Sequence, residues 1–464
     1  MRAFRTVAAC LCLLIAWPAM AQKDCNNCGL SVQSEQGPCM TTQERAALRA
    51  KEVRVIAQLR KSGRLNLRSA VESIQGTLIW PMRPADGFND YSYYSISNQV
   101  DLDLNVDTTA ADTAMLDYNC GMRTYDTNPT TPGGSGYNHD GTDIRLYPFP
   151  YFKMENNLVE VIAAADGVII SKNDGNVDRN CVWGTGRPAN SVSLMHCDGT
   201  ITRYVHLKKG SLTTKDTGQT VLSGEYLGIV GSSGNSTTPH LHFEVNDSTG
   251  ATIDPFFGPC SDTTTTDVSW WADQKPYVDS WLNKLMTYTA FPGAPSCNAA
   301  DSTGIAAVFD ERIVFDNEDT VFVTIFYRHV DQNDTAHVYI YDHNDNLQAD
   351  FLLNMPGAFA GSFSNSLWVF PPGTTGQWTI EVIYMGTSYF HNFYYAECEV
   401  SHTLTGNVTD MQTKQASDYI ESTQVLESPA AVVIYQAGNY IELNPGFEAE
   451  KFTGFEARIQ SCTN

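Results

Sequence analysis

From about residue 76 onward the apolar segments of this chain are short and closed by turn residues. That rhythm constrains the fold more than any other feature. Val159–Ala163, Gly167–Ser171, Ser191–His196, Thr202–His206, Gly224–Gly228 and His240–Val245 follow one another across Gly- and Asp-rich turns. An amphipathic helix needs apolar residues at every third or fourth position over a long window, whereas a half-buried strand needs only brief alternation. A mainly β chain is therefore expected. Its 464 residues exceed one ordinary core, which predicts several units of roughly 100–150 residues each.

The N-terminal residues carry the pattern of a secretory signal. Arg2 and Arg5 precede an apolar run from Val7 to Trp17, and Ala19-Met20-Ala21 forms a small-x-small cleavage site. Cleavage near Ala21 predicts a secreted, periplasmic or cell-surface protein. No other stretch reaches the ~18 apolar residues of a membrane span, so no transmembrane anchor is expected in the mature chain. No lipobox-like run precedes Cys25. Of 12 cysteines, Cys10 and Cys12 leave with the signal. The remaining even number favours disulfides in an exported chain. Cys25-x-x-Cys28 has no second such pair to complete a four-thiolate site. Cys181 and Cys197 flank a hairpin-like stretch and are expected to pair locally. The formal net charge of -23 repels nucleic acid and anionic lipid.

After the signal (1–21), residues 22–75 read as a cysteine-bearing helical leader. Thr41-x-x-Glu44 has the form of a capping box opening a helix toward Gly63. Leu48, Val55, Ile56 and Leu59 make one apolar stripe. Arg45, Arg49, Lys51, Arg54, Arg60, Lys61, Arg64 and Arg68 make this the one basic stretch of an acidic chain. It is either a solvated helix face or a prosegment that docks on an acidic domain. If it inhibits that domain, deleting residues 22–70 raises activity. Residues 76–260 form the first β region. A linker and Trp-rich segment follows (261–297), with Thr263–Thr266, Trp270, Trp271 and Trp281. Residues 298–400 alternate clearly in Val321–Ile325 and Val338–Tyr341 and read as an immunoglobulin-like β-sandwich. Residues 401–464 read as a small C-terminal β module, with turns at Ala437-Gly438 and Asn444-Pro445-Gly446. Trp270, Trp271, Trp368 and Trp378 are expected in cores.

The histidines divide into two groups. His329, His337, His343, His391 and His402 are scattered, without carboxylate or thiol at repeated spacing. His196 precedes a Cys-Asp-Gly turn and reads as structural. The others fall in patterns. His139-Asp140-Gly141-Thr142-Asp143 sets an imidazole and a carboxylate four apart around a glycine. Pro239-His240-Leu241-His242 sets two imidazoles two apart in a strand, where alternation points them to one face. Imidazole nitrogens and a carboxylate oxygen are good zinc donors, and a catalytic zinc uses three protein ligands plus water.

Three separated motifs occur in one order: His139-Asp140-Gly141-Thr142-Asp143, Tyr204-Val205-His206-Leu207, and Ser233 through Val245. Ala164-Ala165-Asp166-Gly167-Val168, Gly224 through Gly228 and Ile253-Asp254-Pro255 support them. The region around 76–260 resembles the M23 (LytM/lysostaphin-like) zinc endopeptidases. The resemblance implies an antiparallel β-sheet peptidase domain in which His139, Asp143 and His242 hold one Zn2+ per chain. His206 and His240 would be the two unbound catalytic histidines. It also implies peptidoglycan stem or cross-bridge peptides as substrate and partner. The insert-like stretch Tyr147–Asn157, rich in Pro and aromatics, departs from the family pattern and leaves groove shape open.

No HExxH motif supplies a glutamate base, so His206 and His240 are the available acid and base. Which acts first is not written in the sequence. Glu244 shares a strand face with His240 and His242; it reads as structural, or as an acceptor that orients a ligand. Tyr204, two residues before His206, reads either as packing or as an oxyanion donor in the same groove. The competing reading is a non-catalytic wall-binding or hydrolase-regulating protein, or an adhesin built on the later β domains. Oligomeric state is not legible.

Overall fold

The computed structural model describes residues 40–462 apart from 41, 66–72, 104–114, 128–136, 262–267, 290–295, 299–302, 306–310, 318, 332, 356–358 and 371–374. Only the backbone is described at 42, 296, 305 and 359–370. The expected signal, Cys25-x-x-Cys28 and Thr41 of the capping box lie outside the described residues.

The chain is mainly β, with two helices among the described residues, α1 (Thr42–Lys61) and α2 (Pro150–Glu155). Its largest sheet has eight antiparallel strands: β1 (Tyr94–Asn98), β2 (Thr142–Leu146), β3 (Gly167–Asn173), β4 (Ser191–Met195), β5 (Ile201–Val205), β6 (Thr220–Val221), β7 (His240–Asn246) and β8 (Thr252–Ile253). Their spatial order is β6-β3-β4-β5-β7-β2-β1, with β8 paired to the end of β7. A small sheet of Met82–Pro84, Val159–Ile162 and Tyr226–Ile229 packs on one face. Period-two alternation divides the faces. Ile169, Val192, Leu194, Tyr204, Leu241 and Phe243 enter the main core. Ile170, Met195 and Ile201 turn the other way and meet Leu59 and Leu65 from α1 and the turn after it. The basic leader helix therefore docks on the sheet through its apolar stripe.

A two-sheet sandwich follows, as the alternation predicts. Trp281–Tyr288, Val321–Val330 and Phe359–Phe370 form one sheet. Val314–Phe315, Thr387–Tyr395, Gly376–Tyr384, Thr335–Tyr341 and Leu347–Asn354 form the other. One core, with Ile325, Tyr327, Val338, Ile380 and Phe393, fills the space between them. Trp270, Trp271 and Trp378 are buried, as expected; the Trp368 side chain lies outside the described residues.

The sandwich is joined to the peptidase-like sheet by a polar seam. Lys153 Nζ meets Asp90 Oδ2 at 2.6 Å, and Lys284 Nζ meets Asp90 Oδ1 at 2.7 Å and Glu311 Oε2 at 2.9 Å. Asn283 donates its side-chain amide to the carbonyls of Tyr94 and Tyr147. The Tyr147–Asn157 insert contributes here: Tyr147 and Phe149 pack against Phe326.

The C-terminal strands pair in parallel. Cys398–Leu404, Gln412–Ser422, Val432–Ala437 and Gly454–Ile459 stack in that order. A second parallel ladder joins Asn407–Val408, Val425–Leu426 and Glu448–Ala449. The tail is thus a short coil of stacked turns, a form that its turn signals alone do not specify.

Among the described residues the disulfides are Cys120–Cys260, Cys181–Cys297 and Cys398–Cys462. The expected Cys181–Cys197 pair does not form. Cys197 sits exposed at the turn between β4 and β5, whereas Cys181 lies in the loop after β3, beside the hairpin of Ser296–Asn298 and Thr303–Ile305. Sequence nearness across a hairpin does not bring two sulfurs together when the loop carrying one of them folds away from the strands.

Candidate metal centre

The central strands β2, β5 and β7 bring the patterned residues together. β7 pairs with β2 so that His242 lies opposite Asp143, and with β5 so that His242 lies opposite Val205. His240, His242 and Glu244 share one face while Leu241, Phe243 and Val245 fill the core. Gly141 is demanded by closeness: a Cβ there would lie 2.6 Å from His242 Cε1 and 2.9 Å from the Phe243 carbonyl.

His206 follows the last residue of β5 and has φ 69°. This left-handed residue breaks the strand's alternation. Its ring therefore reaches the site side, with its centroid 4.5 Å from that of His240. Tyr204, two residues earlier, faces the opposite way. It is fully buried in the main core, its hydroxyl accepting the Ala164 N–H at 2.7 Å and its ring 5.3 Å from Phe243. Of the two readings of Tyr204, packing holds and an oxyanion donor in the groove does not, because simple alternation does not hold across His206.

Each of the four imidazoles has one nitrogen engaged by a fixed acceptor. His139 Nδ1 lies 2.5 Å from the Gln99 carbonyl, His206 Nδ1 2.6 Å from the Ser233 carbonyl, and His240 Nδ1 2.8 Å from the Thr238 carbonyl. His242 Nε2 lies 3.1 Å from Glu244 Oε1. A neutral imidazole has one N–H, and an acceptor oxygen must receive it. The other nitrogen then carries a lone pair. His139 Nε2 is 3.2 Å from Asp143 Oδ2, His242 Nδ1 is 2.7 Å from Asp143 Oδ1, and His240 Nε2 is 3.6 Å from Asp143 Oδ1. His206 Nε2 is buried without a hydrogen-bond partner among the described residues.

A metal ion among these atoms satisfies the carboxylate and the lone pairs together; without one, His242 Nδ1 can carry its proton toward Asp143. Facing donor atoms of His139, Asp143 and His242 lie within 4.8 Å of one another and could hold a metal ion. Two imidazole nitrogens and one carboxylate oxygen fit the donor set of a catalytic zinc, and the second nitrogen of each ligand histidine is anchored as such sites require. In the absence of a metal these faces carry protons instead: burial pushes the Asp143 carboxyl up, while charge and a hydrogen bond at His139, charge at His240 and a hydrogen bond from His242 hold it well below the ordinary carboxylate range.

Several contributors lie outside the three motifs. Asn98 Nδ2 donates to Asp143 Oδ2 at 3.1 Å from the edge strand β1. Arg203 Nη1 donates to Glu244 Oε2 at 2.9 Å, and Arg45 of α1 also binds Glu244. Burial pushes the Glu244 carboxyl up, while Arg45, His242 and Arg203 hold it well below its usual range. One available signal was periodicity. Arg45 and Glu52 fall on the same helix face as Leu48, Val55 and Leu59, where a solvated charge would not sit. His196 stands apart, held by the Asp166 carbonyl and Thr202 Oγ1 at 2.8 Å each, as its structural reading predicts.

Residues 138–255 match the family model for Peptidase family M23, so the chain carries an M23 peptidase domain over that span. A DD-carboxypeptidase/endopeptidase Mpg from Neisseria meningitidis serogroup B and one from Neisseria gonorrhoeae are each 35% identical over 127 residues, covering 27% of this chain. The chain spans about a quarter (26%) of the length of these curated relatives. Similar solved structures include a zinc containing peptidase from Vibrio cholerae, 20% identical over 39% of this chain and 39% of that one, with TM-score 0.22. The catalytic domain of lysostaphin from Staphylococcus simulans is 26% identical over 28% of this chain and 86% of that one, with TM-score 0.19. Superpositions this partial carry no weight beside the sequence match. Among the described residues no helix is long and apolar enough to cross a membrane.

Proposed function

We propose that the protein is an exported zinc endopeptidase that hydrolyses peptide bonds in peptidoglycan stem or cross-bridge peptides. The observation that carries this reading is the gathering of His139, His240 and His242 around Asp143, with His206 beside His240. The M23 match over the same residues and the relatives' printed activity support it. Three disulfides suit an oxidising compartment and the expected signal cleaved after Ala21.

His139 through Nε2, Asp143 through a carboxylate oxygen and His242 through Nδ1 would hold one zinc ion. The chemistry such an ion supplies is polarisation of the scissile carbonyl and acidification of the attacking water. His206 and His240 keep their Nδ1–H groups on the Ser233 and Thr238 carbonyls, so that each takes a proton through Nε2. One accepts the proton of the attacking water; the other, protonated, donates to the departing amine. A protonated ring at either position also stabilises the developing oxyanion. Glu244 keeps the His242 ring turned so that Nδ1 faces Asp143.

The test is zinc content together with mass spectrometry of muropeptides released from purified sacculi. One zinc per chain and cleaved stem or bridge peptides are expected, both lost in His242→Ala. Zinc-loaded protein that releases no peptide product sinks the proposal.

A further inference from the structure

A chain of alternating charges runs from α1 into the candidate metal centre. Arg203 forks Glu52 of α1, with Nε to Oε1 at 3.1 Å and Nη2 to Oε2 at 2.8 Å, and reaches Glu244 Oε2 through Nη1 at 2.9 Å. Arg45 of α1 forks the same Glu244, with Nη1 to Oε2 at 3.1 Å and Nη2 to Oε1 at 3.0 Å. It also contacts Asp140 and the Tyr137 hydroxyl. Glu52, Arg203 and Glu244 are 1%, 4% and 0% exposed.

The two oxygens of Glu244 are held differently. Oε2 receives both guanidinium groups. Oε1, the oxygen that faces His242 Nε2, is held by Arg45 alone of the two. The contact is made on the Nε2 side of His242, away from the Nδ1 atom that faces Asp143. Arg45 therefore stands behind the ring. Asp140 and Glu244, which together with His242 make a second acidic group, already have a cation in this guanidinium.

We propose that α1 is a working part of the metal centre, with Arg45 as a positioning residue that fixes Glu244 and, through it, the His242 ring. This rests on reading His242 as a metal ligand. It departs from both sequence readings of the basic leader, a solvated helix face and an inhibitory prosegment. An inhibitory segment must compete with substrate, whereas Arg45 completes a buried fork whose loss leaves Glu244 Oε1 oriented by His242 only. Partners that orient a ligand histidine in this way commonly tune metal affinity about 10–100-fold.

The experiment uses the full chain with Arg45→Ala, Arg45→Lys and Leu59→Ala. Leu59 packs α1 on Ile170, Met195 and Ile201, about two helical turns beyond Glu52. Zinc affinity is measured by competition with a chromophoric chelator, and ligand geometry by the absorption spectrum of the cobalt(II)-loaded protein. Arg45→Ala is expected to weaken zinc about 10–100-fold and shift the cobalt spectrum. Arg45→Lys recovers part of the loss, and Leu59→Ala leaves both readouts unchanged. Unchanged affinity and spectrum in Arg45→Ala overturn the inference, as does a rise in wall hydrolysis. Equal losses in Leu59→Ala and Arg45→Ala overturn it too, since packing alone then explains them. If Arg45→Ala does not fold, an Arg45→Lys protein with unaltered affinity and spectrum overturns it. Failure of the unaltered chain to bind zinc instead removes the reading of His242 on which the inference stands.

Discussion

His329, on a strand of the sandwich, accepts the backbone N–H of Ile96 at 2.9 Å in the edge strand of the peptidase sheet. The sandwich thus completes hydrogen bonding that the sheet edge cannot complete alone. Asn283, Arg328 and Lys284 add to the seam. A chain ending after Cys260 strips these partners and exposes β1. Each orphaned buried group costs about 1–3 kcal/mol, and an open edge invites aggregation. The truncated chain is expected to lose soluble yield and wall hydrolysis together. Full hydrolysis by a soluble truncation would show that the seam is dispensable.

Asn98 ties that same edge strand to the site by donating to Asp143. Asn98→Ala is predicted to weaken zinc binding by about tenfold or more, with the fold retained. Asn98→Asp is predicted to be worse, because a second carboxylate replaces a donor. Chelator competition on both variants checks the order; an Asp variant that binds zinc more tightly contradicts it.

His206 and His240 are predicted to separate from His139, Asp143 and His242 in one comparison. Alanine at either of the first two keeps zinc and lowers hydrolysis by about 10²–10⁴-fold. Alanine at any of the last three loses zinc and hydrolysis. Each of the two catalytic variants should also lose one limb of the pH–rate profile. Loss of zinc from His240→Ala with retention in His242→Ala would reverse the assignment.

Asp254 gives a pH signature of stability. Burial, opposed by the Phe256 N–H, pushes its carboxyl from 3.8 up to about 8. The folded state then keeps a proton that the unfolded chain releases. Its contribution is complete below pH 3.8 and is lost as pH rises toward 8. Asp254→Asn removes the titration and keeps the oxygen that accepts the Phe256 N–H at 2.9 Å. The variant's Tm should fall less between pH 5 and 8 than that of the parent, with about 2–4 °C expected per kcal/mol. Parallel Tm curves would refute this origin.

Much of the site was legible because its residues are written as local patterns. A strand carrying His240 and His242 fixes their common face, and the four-residue step from His139 to Asp143 spans one tight turn. Tyr204 stayed undecided between packing and the groove because nothing in the motif announces the left-handed backbone at His206. Asn98, Gln99 and Arg45 were missed because each reaches the site from another element, and Arg203, beside the Tyr204 motif on β5, because its pairing with Glu244 is across strands; pairing between distant segments leaves no mark in local spacing. The expected Cys181–Cys197 pair failed for the same reason, since the partner, Cys297, comes from a distant segment. Sandwich alternation was readable strand by strand, whereas the parallel stacking of the tail depends on register between strands separated by whole turns.

The Cys398–Cys462 bridge joins the first strand of the coiled tail to the residues after its last one. Cys398 is in turn tied by its backbone N–H to Asp316 at the base of the sandwich, at 3.0 Å. A pull exerted beyond residue 462 therefore passes through sulfur directly to the sandwich, and the stacked turns between the two cysteines stay slack under load.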